Sequence, residues 1–298
     1  MTVIAVFAVS RFLIAISLMV LFGSALLMAL VRPSSLASSI AERLARRALP
    51  LSLLGLAGLL VWLPLETATI GDGWSSAVDS SMLLQVVTLT ALGKVWCLRI
   101  AIGIFTVLTV YRSAGSRSAG WVRRVAFASG LSLAGLSLSG HSAANDGWLG
   151  GLHEAVDAMH VLAAGAWFGS LVPFLYFLKA LRDADHRRDA VAALITFSNL
   201  GHATVAITLL SGAANTWLIL RDWPFHWHTP YQALLCVKIT LTIGMVWVAL
   251  ANRYVWVPRL RAQPALATET IRQRTVFGVA LGLTVVGLVS IFGMLSPR

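Results

Sequence analysis

Residues Gly140–Gly169 read GHSAANDGWLGGLHEAVDAMHVLAAGAWFG. Three of the seven histidines, His141, His153 and His160, fall in this stretch together with Asp146, Glu154 and Asp157, and the chain turns apolar directly after them. If the segment is helical from about Leu152, each residue advances 100° and His153, Asp157 and His160 lie within about 60° of one another. Ala164, Trp167 and Leu171 continue that face. The spacing predicts a helix with imidazoles and a carboxylate at its mouth and an apolar wall below them. Such a layout suits a metal or cofactor site at a membrane surface.

The rest of the chain supplies the membrane. Of 298 residues 58% are hydrophobic and 12% charged, with a mean hydropathy of +0.81. A soluble domain carries about twice that charge, so the fold expected is an all-α polytopic membrane bundle whose partner is the lipid bilayer. At about 20 apolar residues per span, eight transmembrane helices are predicted, at roughly 5–31, 48–65, 82–111, 122–140, 153–178, 192–220, 231–252 and 274–295. Short gaps join them, so residues 1–298 are expected to form a single membrane domain. The apolar run after Arg11 reaches Val31, too long for a signal-peptide core, and is expected to stay as a span. Cys97 and Cys236 each lie inside an apolar run and are expected as buried hydrophobes, not as a disulfide.

The net charge of +11 is concentrated in alternate gaps. Arg32, Arg43, Arg46 and Arg47 fill the first, Arg112, Arg117, Arg123 and Arg124 the third, Lys179, Arg182, Arg187 and Arg188 the fifth, and Arg253, Arg259, Arg261, Arg272 and Arg274 the seventh. The other gaps carry Glu66, Asp72, Asp79, Asp146 and Asp222, with little basic beyond Arg221. This pattern reports orientation, not a nucleic-acid partner; the positive-inside rule predicts cytoplasmic basic gaps and both termini outside. His141, His153, His226 and His228 then sit at the external end, His160 about 10 Å below His153, and His202 nearer mid-membrane. Gly130, Ala134 and Ser137 share a face with His141 and invite a neighbouring backbone. The sixth helix is polar on both sides, with Ser198 and His202 on one and Thr204, Thr208, Ser211 and Asn215 on the other, so it is expected inside the bundle.

Neutral imidazole suits copper and zinc, and a carboxylate either completes the shell or orients a ring. His141, His153, Asp157, His160 and His202 are the candidate metal ligands. Nitrogen and oxygen donors favour Cu(II) or Zn(II); Cu(I) prefers sulfur, and the seven methionines form no MxxM pair. The plainer alternative is interfacial histidines plus one hydrogen-bonded interior histidine. Ionisable groups inside spans are costly and usually functional, which favours a site for the set. A second reading is a membrane redox protein, either a copper-dependent quinone oxidoreductase or one with haem b held axially by His160 and His202 on facing helices, although the depths of these two differ by several residues. His226 and His228 in WPFHWHTP are either a metal-collecting pair or incidental members of an aromatic belt. Arg99 is expected to snorkel toward the cytoplasm; Lys94 and Lys238 look too deep for that and are candidates to pair with Asp157 or an anionic ligand. No phosphate-binding loop, nucleophile constellation or ATPase signature occurs, so transport or metal binding is expected over enzymatic activity.

These residues resemble a known family. Gly140–His141, DAMHVLAAGAWFGSLVP from Asp157 to Pro173, Phe197–Ser198, SGAANTW from Ser211 to Trp217, Tyr231, the LLCVK ending at Lys238 and ANRYVWVPRL from Ala251 to Leu260 look like the copper-resistance membrane protein CopD and its PcoD-type relatives. Arg11 and LGKVWCLR from Leu92 to Arg99 add the first half, and residues 140–260 match best. One departure is Gln232, where the family usually has glycine. The resemblance implies an eight-helix bacterial inner-membrane protein tied to periplasmic copper handling, often accompanied by a small CopC-like copper-binding protein. It supports His141 and His160 most directly.

Overall fold

The computed structural model describes residues 2–71, 73–113, 120–138, 147–220 and 229–295. His141, Asp146, His226 and His228 lie outside them, so the expectations for these four cannot be placed on the fold.

Every element among the described residues is helical. Helix α1 (Val3–Leu30) starts where the Thr2 hydroxyl accepts the Ala5 N–H, and α2 (Ser35–Ile70) where Ser34 accepts from Ala37. Each cap satisfies an amide that the first turn leaves without a partner. Within α2, Pro50 and Pro64 have no N–H, which deprives the Arg46 and Leu60 carbonyls of their helical donors. Two short helices follow, α3 (Trp74–Val78) and α4 (Ser80–Leu89). Asp79 caps α4, and bonds to it from the Ser81 hydroxyl and the Met82 and Ser81 amides hold its carboxyl below the usual carboxylate range.

Helix α5 (Ala91–Ser113) begins after Thr90, which is extended at φ −109°, ψ 152° and whose hydroxyl accepts the Gly93 N–H at 3.0 Å. Helix α6 (Gly120–Ala134) ends in a 3-10 turn at Gly135–Leu138. The C-terminal half holds α7 (Gly147–Ala180), α8 (Arg187–Leu220) and α9 (Pro230–Ala251), the last capped by Thr229. A π-helical turn at Asn252–Trp256 carries α9 into α10 (Val257–Arg259), and α11 (Pro264–Phe292) closes the chain.

The expected all-α membrane bundle is present, with different bounds. Seven helices among the described residues are long and apolar enough to cross a membrane: α1, α2, α5, α7, α8, α9 with α10, and α11. The span expected at 122–140 is the one outside that set, because its α-helical part stops at Ala134 and tightens into the 3-10 turn. The span expected at 82–111 is broken at Thr90, whose hydroxyl offers the backbone a local alternative to helix. The span expected at 48–65 runs from Ser35 to Ile70, so Arg43, Arg46 and Arg47 ride on a helix instead of in a loop.

At the centre, α1 packs along α2, α6 and α7 and touches α11, while α7 carries α8 and α9 lies against α11. Glycine sets the α1–α7 crossing. A Cβ on Gly23 would collide with the Gly165 carbonyl oxygen, and one on Gly169 with the Met19 carbonyl oxygen; Ser24 Oγ donates to the Gly169 carbonyl at 3.0 Å. Backbones this close are the small-residue mode of packing in membranes. Gly130 of α6 similarly admits the Phe22 ring of α1, 2.9 Å from where its Cβ would be.

Successive long helices run in opposite directions. The N-terminal ends of α1, α5, α7 and α9 therefore share one end of the bundle with the C-terminal ends of α2, α6, α8 and α11. That is the polar end. At the opposite, basic end Arg182 and Arg272 share Glu269, at 3.4 and 2.6 Å, tying the turn after α7 to α11.

Candidate metal centre

At the polar end one face of α7 carries His153, Asp157 and His160, and Asp157 and His160 meet α8. His153 is 1% exposed, and its ring lies within electrostatic reach of Asp157 and Glu154. Asn215 of α8 donates from Nδ2 to Asp157 Oδ1 at 2.9 Å. His160 Nδ1 stands 3.0 Å from the Thr208 carbonyl oxygen and 3.1 Å from Ser211 Oγ. A carbonyl can only accept, so the ring proton sits on Nδ1 and Nε2 keeps the lone pair. Gly212 makes room for this ring, since a Cβ there would lie 3.1 Å from His160 Cε1.

Helix α9, which packs on α11, brings two more polar groups within range of this face. Lys238 is within electrostatic reach of both Asp157 and His160, and Tyr231 of Asp157. The Lys238 ammonium also lies 6.0 Å over the Phe292 ring of α11. The sixth span, expected inside the bundle because both its sides are polar, is buried on one of them: Thr204, Thr208, Ser211 and Asn215 are buried, whereas His202 on the other side is exposed. Lys238 comes within electrostatic reach of Asp157 but forms no ion pair with it within 4.0 Å, and Lys94 takes no part: it is exposed near the start of α5.

Two atoms in this chamber have unspent hydrogen-bonding capacity. Thr208 Oγ1 and Asn215 Oδ1 are buried without a partner. Buried polar atoms are normally paired, so the chamber is chemically suited to an occupant that oxygen atoms can contact. The donors are imidazole nitrogen, carboxylate, amide and hydroxyl oxygen, a set that fits Cu(II) or Zn(II) better than a soft ion. Among the described residues, however, no three His, Cys, Asp or Glu side chains converge as a metal-binding group.

His202 stands apart from the chamber. Its Nδ1 donates to the Ser198 carbonyl at 2.7 Å, which leaves Nε2 to accept the Tyr254 hydroxyl at 3.1 Å, on an exposed face of α8. Thr208, which holds His160, lies six residues further along α8, about 9 Å along its axis. The two imidazoles expected as a haem pair are thus held by different partners on different faces.

The sequence reading missed a second buried polar cluster at the same end. Arg11 of α1, Glu66 of α2 and Arg99 of α5 lie within electrostatic reach of one another. Arg99 does not snorkel: it is 5% exposed, with its guanidinium 5.2 Å over the Trp62 ring. Arg11 stacks 6.0 Å from Phe7, which meets Trp62 edge-on. The signal was a carboxylate two residues after Pro64 on a helix otherwise apolar around it, in register with an arginine on each neighbouring helix. The two cysteines form no disulfide, as expected, but only Cys236 is buried; Cys97 is exposed.

Comparison with known proteins identifies the fold's relatives. Residues 1–151 match the family described as Copper resistance protein D-like, N-terminal domain, and residues 191–292 match Copper resistance protein D. The chain is 31% identical to the inner membrane protein YebZ of Escherichia coli K12, over 96% of this chain and 97% of that one. It is 30% identical to copper resistance protein D of Pseudomonas syringae pv. tomato, over 97% and 96% respectively. It is also 30% identical to the copper transport protein CutJ of Bacillus subtilis 168, over 65% of this chain and 36% of that protein. No solved structure matches. With whole-length relatives and a bundle of long apolar helices in agreement, the chain belongs to the copper resistance protein D family of multi-pass membrane proteins.

Proposed function

We propose that this protein accepts copper from the periplasm at the polar end of α7, α8 and α9 and passes it into or across the inner membrane. His153, Asp157 and His160 are the ligands or ligand-orienting groups within the chamber, and His141, in the segment before α7, joins them. His202 serves at most as a deeper relay, because Tyr254 already engages its Nε2. The observation that carries this reading is the fixed tautomer of His160: Nδ1 is spent on the Thr208 carbonyl, so Nε2 is the nitrogen available to a metal. Copper is the cargo here, delivered by a CopC-like carrier, and family membership favours it over zinc.

An eight-span topology with both termini periplasmic accompanies this proposal. Helix α6 and its 3-10 turn together rise about 30 Å, enough to cross the hydrocarbon core. Along α5, Thr106 bonds the Ala128 carbonyl and Ser132 of α6, and Arg99 lies against Gly135, which supports an antiparallel return. The direction of basic charge then supports a periplasmic polar end.

The test is elemental analysis and an optical spectrum on one purified sample, before and after adding Cu(II), with His160→Ala beside the parent chain. The expected result is copper retained without a Soret band and lost in folded His160→Ala, with altered copper tolerance or uptake in cells. Unchanged copper stoichiometry and phenotype in a folded His160→Ala variant overturn the assignment. A Soret band lost with His160 replaces it with the haem reading.

A further inference from the structure

The basic end of the bundle contains a cavity of about 430 Å³ that the copper reading does not use. Its walls are apolar: Leu21 and Met28 of α1, Leu51 of α2 and Val125 of α6, with Trp121 beside them. Arg47 also lines it, and Arg47 is exposed, so the cavity opens beside a guanidinium. Pro50 stands on the same wall; its missing N–H leaves the Arg46 carbonyl without a helical donor near the opening.

The depth of this opening follows from α2. From Arg47 to Ile70 the helix rises about 35 Å, slightly more than the ~30 Å hydrocarbon core. Arg47 is therefore at headgroup level when Ile70 is at the opposite surface, and Leu51 below it is at acyl-chain level. Trp121 sits where interfacial tryptophans are enriched. Arg32, Arg43, Arg46, Arg123 and Arg124 are all exposed at this same end. The cavity volume falls within the ~300–1,000 Å³ of ordinary ligand pockets.

We propose that this cavity binds an anionic phospholipid of the basic-side leaflet, with one acyl chain inside and its phosphate on Arg47. Guanidinium pairs with phosphate oxygens in a fixed, two-pronged geometry, and the pairing is strongest where no headgroup ammonium competes for the phosphate or repels Arg47. The exposed arginines around it favour a lipid whose phosphate charge is left uncancelled over one whose own ammonium neutralises it. A quinone has a neutral head and gains nothing from them, and a second copy of the chain would bring its own basic end against them. The inference is independent of where copper binds.

The experiment titrates the full chain in detergent with phosphatidylglycerol and, separately, with phosphatidylcholine of the same acyl chains, and counts bound lipid by native mass spectrometry. One phosphatidylglycerol is expected to bind at least about fivefold more tightly than phosphatidylcholine, the effect of about one basic residue near an anionic lipid. Arg47→Gln, at an exposed position that leaves packing alone, should remove most of that preference. Leu51→Trp should fill the cavity and reduce retention of both lipids. Equal binding of the two lipids, or a preference that survives Arg47→Gln, overturns the proposal. Co-purification of an isoprenoid quinone that Leu51→Trp displaces overturns it in favour of that occupant.

Discussion

The N-terminal and C-terminal halves each bury a group of ionisable residues at the polar end, and the two groups are built from different chemistry. In the first, two guanidiniums lean on aromatic faces, Arg99 on Trp62 and Arg11 on Phe7, with the Glu66 carboxylate in reach of both. Arginine stays charged in any protein environment, so this group holds a fixed pattern of charge and binds three helices together. In the second, His153, Asp157 and His160 meet an amide, hydroxyls and a lysine, and two oxygens stay unpaired. Imidazole with a defined lone pair beside spare acceptors is a receptive arrangement. The contrast separates a cluster that holds the fold from one able to hold a ligand, although both would be scored alike as charges in a membrane.

Substituting the shared carboxylate of the first group is the strongest way to break this contrast. Glu66→Leu strips two guanidiniums of their common counter-charge. Breaking a fully buried pair costs about 3–5 kcal/mol; Glu66 is half-buried, so a loss of about 2–3 kcal/mol is expected. A thermal unfolding midpoint measured in detergent reads it, and copper bound per folded molecule should not change. Were copper lost while the midpoint held, the roles assigned to the two groups would be reversed.

A subtler change sharpens the other side. Gly212→Ala places a methyl 3.1 Å from His160 Cε1 and 3.4 Å from Nδ1, so the ring must give by a few tenths of an ångström. Overpacking of this size costs about 1 kcal/mol. The shift also strains the Nδ1–H bond to Thr208 that fixes the tautomer. Copper affinity should fall by more than stability does, and the imidazole nitrogen resonances of His160 should move. A variant with parental affinity and shifted resonances would show that His160 orientation is irrelevant to binding.

How much of this was legible depends on whether a feature is local. The one-face placement of His153, Asp157 and His160 follows from helical periodicity alone, and the burial of Thr208, Ser211 and Asn215 from the expense of polar groups in lipid; both appear in the fold, but the same expense predicted burial for His202, which is exposed and satisfied by Ser198 and Tyr254 instead. Span bounds were less readable, because hydropathy does not see Thr90 capping Gly93 and cannot tell an α-helical turn from the 3-10 turn after Ala134. The Arg11–Glu66–Arg99 group was invisible for another reason. Its members are 33 to 88 residues apart and meet only because α1, α2 and α5 pack side by side. Arg99 read singly looks like a residue that reaches for the surface, whereas Trp62 and Glu66 give it a reason to stay.

The smallest expected effect supplies the baseline for the other two. Asp79 is a carboxylate at the same end that no cluster buries; it caps α4 by accepting the Ser81 hydroxyl and the Met82 and Ser81 amides. Those bonds favour the ionised form, so its pKa is lower in the folded chain than in the unfolded one. A depressed folded pKa stabilises fully above the unfolded value, near 4, and the contribution disappears as the pH falls through the folded value. Asp79→Asn should therefore lower the unfolding midpoint slightly at neutral pH, and the gap to the parent chain should close in acid, as the parent's own carboxyl takes up its proton. Thermal scans at neutral pH and near pH 3 measure that gap. A gap that stays constant would trace the cap to shape instead of charge, and the same scans on Glu66→Leu would then report packing around Trp62 and not the fixed charges that distinguish the two halves.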